Sequence, residues 1–285
     1  MVTRRQVTAS GLLALAGLSG RARAEAVSAA GFAGIEARTG GRLGVAVLDT
    51  ASDRLVGHRE HERFPMCSTF KVLAAAAVLA RIDSGSDRLE RRVVFETPML
   101  VPYSPVTERR VGGAGMTLAE LCEAAITRSD NTAGNLLLAA IGGPEGLTAY
   151  IRGLGDAVTR LDRIEPDLNE ARPGDARDTT SPAAMAGVLR RLVLGDGLSA
   201  ASRSRLADWM IDNRTGGARL RAGLPAGWRI GDKTGTGDRG TANDIAVIWP
   251  VRAAPLVVAV YLTESDRSLE ERNAAIAAVG RAVSA

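Results

Sequence analysis

Leu256-Val257-Val258-Ala259-Val260-Tyr261-Leu262 is an unbroken apolar run dominated by β-branched residues. It reads as a strand. Two strand patterns precede it, Arg229-Ile230-Gly231-Asp232-Lys233 and Ile245-Ala246-Val247-Ile248-Trp249. The next lies at the far end of the chain, where Leu43, Val45, Val47 and Leu48 lead to Asp49-Thr50, followed by a short Leu55-Val56-Gly57. Between these ends the patterns are helical: a run after Ser68 ending near Gly85, then 118–127, 131–141, 144–153, 182–194 and 200–211. Helices are also expected over 26–39 and 268–283. Strands from both ends must therefore share one sheet, with a helical insertion between them. The expected class is α/β plus all-α: an α/β domain of residues 25–62 and 213–285, and an all-helical domain of 63–212. The latter includes a long irregular loop, 160–179, and loops of that length are usually functional or disordered.

The first 24 residues read as a removable leader. Arg4-Arg5 precedes the apolar run Gly11–Leu18, and Ala22-Arg23-Ala24 offers a cleavage site. The pattern fits a twin-arginine export signal better than an ordinary secretory one, and implies a periplasmic or secreted protein. The leader carries four arginines and no acid, so its removal takes the net charge from +4 to 0. The basic pI belongs to the leader and is no argument for nucleic acid. No other stretch is long enough for a membrane helix. Cys67 and Cys122 lie in apolar surroundings and read as buried free thiols. His58 and His61 sit in a polar stretch and read as surface residues, and no cluster has metal-ligand spacing.

Only two of the 36 basic residues are lysines, Lys71 and Lys233. A lysine amine can lose its proton when desolvated, whereas a guanidinium cannot. Each lysine falls in a short pattern. In Ser68-Thr69-Phe70-Lys71, serine at a helix start would have a lysine on the same face, within reach of its proton. The same letters describe a capping serine and an exposed lysine. Lys233-Thr234-Gly235-Thr236, on a C-terminal strand, offers an ammonium and two hydroxyls to a carboxylate, or is a hairpin with a surface lysine. Ser129-Asp130-Asn131 is a good helix cap. Glu165-Pro166-Asp167-Leu168-Asn169 places an acid and an amide where they could share a water, or is a solvated charge cluster.

Taken together, in this order, these patterns resemble the class A serine β-lactamases. Tyr103-Ser104-Pro105-Val106-Thr107, Arg177–Pro182, Leu224–Trp228 and Asn243–Val247 strengthen the likeness, which runs from about residue 30 to the C-terminus. The resemblance implies an antiparallel sheet flanked by helices, with a large helical insertion. It implies hydrolysis of penicillins and cephalosporins through a covalent serine acyl-enzyme, and hence antibiotic resistance. Ser68 would be the nucleophile, with Lys71 or Glu165 as acylation base and Ser129 as proton relay. Glu165 and Asn169 would position the deacylating water. The backbone N–H groups of Ser68 and Thr236 would form the oxyanion hole. Asn131 would bind the substrate's side-chain amide. Lys233, Thr234, Gly235 and Thr236 would receive its carboxylate, and Tyr103 would line the mouth. Arg163 and Asp178 would be the ion pair closing the long loop. No metal or organic cofactor is implied, the partners are small β-lactams rather than nucleic acid or membrane, and the default is a monomer.

Three departures from the family pattern matter. Many members carry an arginine where this chain has Ala242, and Arg219 is expected to supply that cation instead. Carbapenem-hydrolysing relatives bridge a cysteine at the position of Cys67 to one where Gly237 stands, so that bridge cannot form here. The partner that some members pair with the position of Cys122 is Ala75 here. The competing readings are a penicillin-binding DD-peptidase, which would lack the Glu165/Asn169 pair, and a non-hydrolytic β-lactam sensor, which would be tethered to a membrane helix.

Overall fold

The computed structural model describes residues 28–284. The leader expected at 1–24 lies outside them. In chain order the elements are α1 (Ala29–Thr39), β1 (Arg42–Asp49), β2 (Arg54–His58), β3 (Phe64–Pro65), α2 (Phe70–Asp83), β4 (Arg92–Val93) and β5 (Met116–Thr117). There follow α3 (Leu118–Thr127), α4 (Asn131–Ala140), α5 (Gly143–Gly153), β6 (Thr179–Thr180), α6 (Pro182–Val193) and α7 (Ala200–Ile211). The chain ends with β7 (Arg229–Gly237), β8 (Thr241–Trp249), β9 (Leu256–Thr263) and α8 (Leu269–Ser284).

Five strands form one antiparallel sheet in the order β2-β1-β9-β8-β7. The apolar run at 256–262 is its central strand, which explains why it does not alternate. Val258, Val260 and Leu262 pack with Phe32 of α1 and Ile276 and Val279 of α8. Val257, Ala259 and Tyr261 face the other way, into a core shared with α2, α3, α6 and α7. Fully burying each such side chain contributes about 1.5–3 kcal/mol. Helix α2 is apolar on every side and buried from Phe70 to Leu79, as befits a helix at the centre of its layer.

Local signals set several boundaries. Ser28 caps α1 by accepting from Gly31 N (3.1 Å), and Gly40 ends it at φ 66°. Thr117 and Glu120 form a reciprocal capping box on α3. Ser181-Pro182 starts α6 as its sequence suggests.

Strand β7 continues past Lys233 to Gly237 and so includes the Lys233–Thr236 pattern, as expected. The structure revises the sequence reading in three places. Ser68 lies not in the helix but in a 3₁₀ turn, Cys67–Thr69, that precedes it. The segment expected to be all helical carries two short strand pairs, β3–β6 and β4–β5. His58 is no surface residue: Glu36 Oε2 lies 2.8 Å from its Nε2 and the ring is largely covered, because β2 lies beside α1. His61 is exposed as expected. Cys67 and Cys122 are both buried and free. Among the described residues no helix is long and apolar enough to cross a membrane, and no group of His, Cys, Asp and Glu could hold a metal.

Candidate active site

Edge strand β7 lies against the turn that carries Ser68. The turn is anchored by Thr69, whose hydroxyl donates to Met66 O (2.8 Å) and lies 3.2 Å from the Tyr261 hydroxyl on the central strand. Met66 N donates to Asp178 O (2.9 Å), which joins the turn to the end of the long loop. Cys67 adopts φ 45°, a conformation that a non-glycine residue holds only when its surroundings enforce it. Here Cys67 is fully buried, and burial pushes its thiol pKa up.

Lys71 is wholly buried, one turn of α2 from Ser68. Its Nζ donates to Ser68 Oγ (2.9 Å), to Ser129 O (2.8 Å) and to Asn131 Oδ1 (2.6 Å), and lies 2.9 Å from Glu165 Oε1. Burial lowers the Lys71 pKa, and the Glu165 carboxylate opposes that shift. Ser68 Oγ also reaches Glu165 Oε1 at 3.2 Å. One hydroxyl therefore stands between the two groups able to take its proton. Glycine at 134 makes room for this lysine: a Cβ there would come within 2.9 Å of Lys71 Cε.

Lys233 is the second wholly buried lysine. Its Nζ donates to Ser129 Oγ (2.9 Å) and to Thr234 O (2.8 Å). Burial, and then the nearby Lys71 charge, hold its pKa well below the ordinary lysine range. Ser129 has φ 57° and is followed by Asp130, the N-cap of α4, which accepts from Ala133 N (2.8 Å). The tripeptide thus caps α4 through Asp130 and also touches both buried lysines, through Ser129 and Asn131. Asn131 gives its Oδ1 to Lys71 and donates from Nδ2 to Pro102 O (2.8 Å).

Glu165 is 1% exposed. Asn169 Nδ2 donates to its Oε2 (2.5 Å), while Asn169 Oδ1 is buried with no partner among the described residues. Asn135 clamps the Glu165 backbone on both sides, accepting from its N–H and donating to its carbonyl, each at 2.9 Å. Asp178, also 1% exposed, accepts from Arg163 Nε (2.6 Å) and from the N–H groups of Asp162 and Arg163 (2.8 and 2.9 Å). Arg163 continues to Glu170 Oε2 at 2.7 Å. The long loop is thus neither disordered nor a solvated charge cluster.

Beneath β7 lies Arg219, 5% exposed. It donates to Gly235 O (2.7 Å), Asn243 O (2.6 Å), Asn273 Oδ1 (2.8 Å) and the Thr236 hydroxyl (2.7 Å). Ala242 is the residue paired with Thr236 in the sheet. Thr234 Oγ1 lies 2.5 Å from Thr215 Oγ1, and Tyr103, 62% exposed, stands at the rim, its carbonyl accepting from Asn131 N (3.0 Å). On β7 and β8, burial raises the pKa of Asp232 and raises that of Asp244 well above the ordinary carboxylate range.

The residues singled out in the sequence thus fall into one connected set, from Arg163 and Asp178 behind the loop to Tyr103 at the rim. Sequence reasoning missed Asn135 and Thr215. Asn135 follows Asn131 by one helical turn, so helix periodicity alone places both amides on one face. Thr215 lies in a loop with no pattern to mark it.

A buried serine coupled to a lysine, a carboxylate and a second lysine–serine pair, on a sheet edge facing a helical layer, is an arrangement suited to a hydrolase. The chain belongs to the β-lactamase enzyme family, whose model matches residues 25–285. It is 54% identical over 252 residues to β-lactamase AST-1 of Nocardia asteroides, covering 88% of this chain and 81% of that protein. Among solved structures it is similar to an ancestral (GNCA) class A β-lactamase, with TM-score 0.87 and 67% identity over 88% of this chain and 96% of that one. It is also similar to the putative class A β-lactamase PenP from Rhodopseudomonas palustris, with TM-score 0.88 and 64% identity over 90% and 97% of the two chains. These comparisons bear out the class A resemblance and give the DD-peptidase and sensor readings no support.

Proposed function

We propose that this β-lactamase works through a covalent acyl-enzyme on Ser68 that Glu165 then hydrolyses. The observation that carries this reading is the position of Ser68 Oγ, 2.9 Å from Lys71 Nζ and 3.2 Å from Glu165 Oε1. Lys71, alone or with Glu165, takes the hydroxyl proton as the oxygen attacks the lactam carbonyl. The N–H groups of Ser68 and Thr236 hold the developing oxyanion, a role whose loss typically costs about 3–4 kcal/mol. Ser129, bonded to Lys233, delivers a proton to the departing lactam nitrogen. Asn131 holds the substrate's side-chain amide. Lys233, Thr234, Gly235 and Thr236 seat its carboxylate, with Arg219 supporting Thr236 from below, and Tyr103 flanks the entrance. Glu165 then draws a proton from water, and the unpartnered Asn169 Oδ1 is the acceptor that orients it. Arg163 and Asp178 keep the loop closed. The cleft runs between the α/β part (25–62 and 213–285) and the helical part (63–212).

The substrates are penicillins and cephalosporins, the protein acts as a monomer, and the twin-arginine leader directs it to the periplasm or outside the cell. Steady-state hydrolysis of a chromogenic cephalosporin tests the chemistry. Turnover is expected in the parent and lost in Ser68→Ala. A single burst without turnover in the parent would overturn the reading.

A further inference from the structure

The reaction uses two lysines and a buried arginine, but not the exposed arginines on the flank of the cleft. A cavity of about 470 Å³ opens beside Tyr103 and Thr215 and is lined by Arg109, Arg110, Arg128 and Arg214. It adjoins the proposed reaction site through Tyr103 and Thr215. Arg128 directly precedes Ser129, and Thr215 Oγ1 is 2.5 Å from Thr234 Oγ1. Arg214 N donates to Thr127 O (3.0 Å), which fixes Arg128 and Arg214 on one wall.

The nearby acids do not neutralise this wall. Glu120 takes Arg110 (2.8 Å), and Glu108 approaches Arg109 only to 4.0 Å. Asp130 commits both oxygens to Val106 N, Thr107 and Ala133 N. Glu123 and Asp212 line a different cleft together with Asp208. Among the described residues, Arg128 and Arg214 have no ion-pair partner. Four guanidiniums around one cavity, two of them uncompensated, give it a positive field.

We propose that this cavity is a subsite for an anionic substituent on the substrate ring that carries the carboxylate. The proposal rests on the acyl-enzyme reading, because a carboxylate seated at Thr234 would put the neighbouring ring carbon near Thr215, which touches Thr234 and lines this cavity. A short arm from that carbon passes Tyr103 and presents a carboxylate or sulfonate to Arg128 and Arg214, whose planar forks suit either group. The arm takes no part in bond breaking, so the contact strengthens ground state and transition state alike and is read in KM.

The test compares cephalosporins that differ only in the ring substituent, one anionic, one neutral and one cationic. In the double variant Arg128→Gln/Arg214→Gln, the anionic-to-neutral ratio of kcat/KM falls about five- to tenfold through KM. Charge reversal, Arg128→Glu/Arg214→Glu, inverts the preference toward the cationic substrate, an outcome that misfolding cannot produce. In the parent the preference for the anion shrinks at high salt. Ratios within about twofold of the parent in both double variants, including a parallel loss on all three substrates, overturn the proposal. Retained turnover in Ser68→Ala would instead overturn the reading beneath it.

Discussion

The Arg219 guanidinium reaches the Thr236 hydroxyl at 2.7 Å from beneath the sheet edge, while the sheet partner of Thr236 is the small Ala242. In the proposed reading, the charge for the substrate carboxylate therefore enters from the loop before β7 rather than from the neighbouring strand. Arg219 also donates to the carbonyls of Gly235 and Asn243, so it braces the β7 edge as well as placing a charge beneath it. Arg219→Ala is expected to raise the penicillin KM about tenfold or more. It should also lower stability by roughly 2–4 kcal/mol, since it leaves two buried carbonyls without their donor. Kinetics and thermal unfolding check this, and unchanged KM and turnover would remove Arg219 from the cradle.

Glu165 touches both Ser68 Oγ and Asn169, so in the proposed mechanism its removal should separate the two halves of the reaction. Glu165→Ala is expected to acylate and then stall, with deacylation slowed roughly 10²–10⁴-fold, the usual worth of a general base. Mass spectrometry after mixing with penicillin should show one adduct on Ser68. No adduct, together with intact turnover, would exclude the carboxylate from the mechanism.

Lys233 gives a pH prediction. Desolvation and the Lys71 charge depress its pKa, so its ammonium is lost as pH rises through a value below that of an ordinary lysine. Substrate carboxylate affinity should therefore weaken on the alkaline side earlier than a free lysine would allow. The KM–pH profile of Lys233→Arg should lose that limb, because a guanidinium does not deprotonate there. An identical alkaline limb in the variant would assign the titration to another group.

Gly237 provides a structural check. A Cβ built there falls 2.6 Å from Cys67 Sγ and 2.8 Å from Asn169 O. Gly237→Cys is expected to bridge to Cys67 under oxidising conditions, with Asn169 shifting by a few tenths of an ångström. Thiol titration after unfolding should count one free cysteine, Cys122, where the parent has two. A count of three would mean the two positions do not meet.

The sheet was legible because Leu256–Leu262 and the Leu43–Leu48 pattern are apolar on both faces of a buried strand pair. The end of β7 was legible only from the Lys233–Thr236 pattern and not from hydrophobic periodicity. Thr234, Gly235 and Thr236 carry no apolar period, yet the register pairs them with Asp244, Asn243 and Ala242. The ladder, not the side chains, makes that segment a strand. Lys71 could be picked out as unusual from composition, but its coupling to Glu165 depends on a loop that folds back across 94 residues of sequence. Asn135 sat in plain view on a helix face. The depth of Arg219, the burial of Asp244 and the covered His58 are products of packing, which no local pattern encodes.

The near-absence of lysine has a practical corollary. Both ε-amines lie sealed inside the cleft. The folded exterior of the described residues thus offers acylating drugs no lysine to haptenise. With the N-terminal α-amine blocked, an amine-selective reagent applied to the native enzyme becomes a reporter on the two buried lysines, and its rate of labelling measures how often they are exposed.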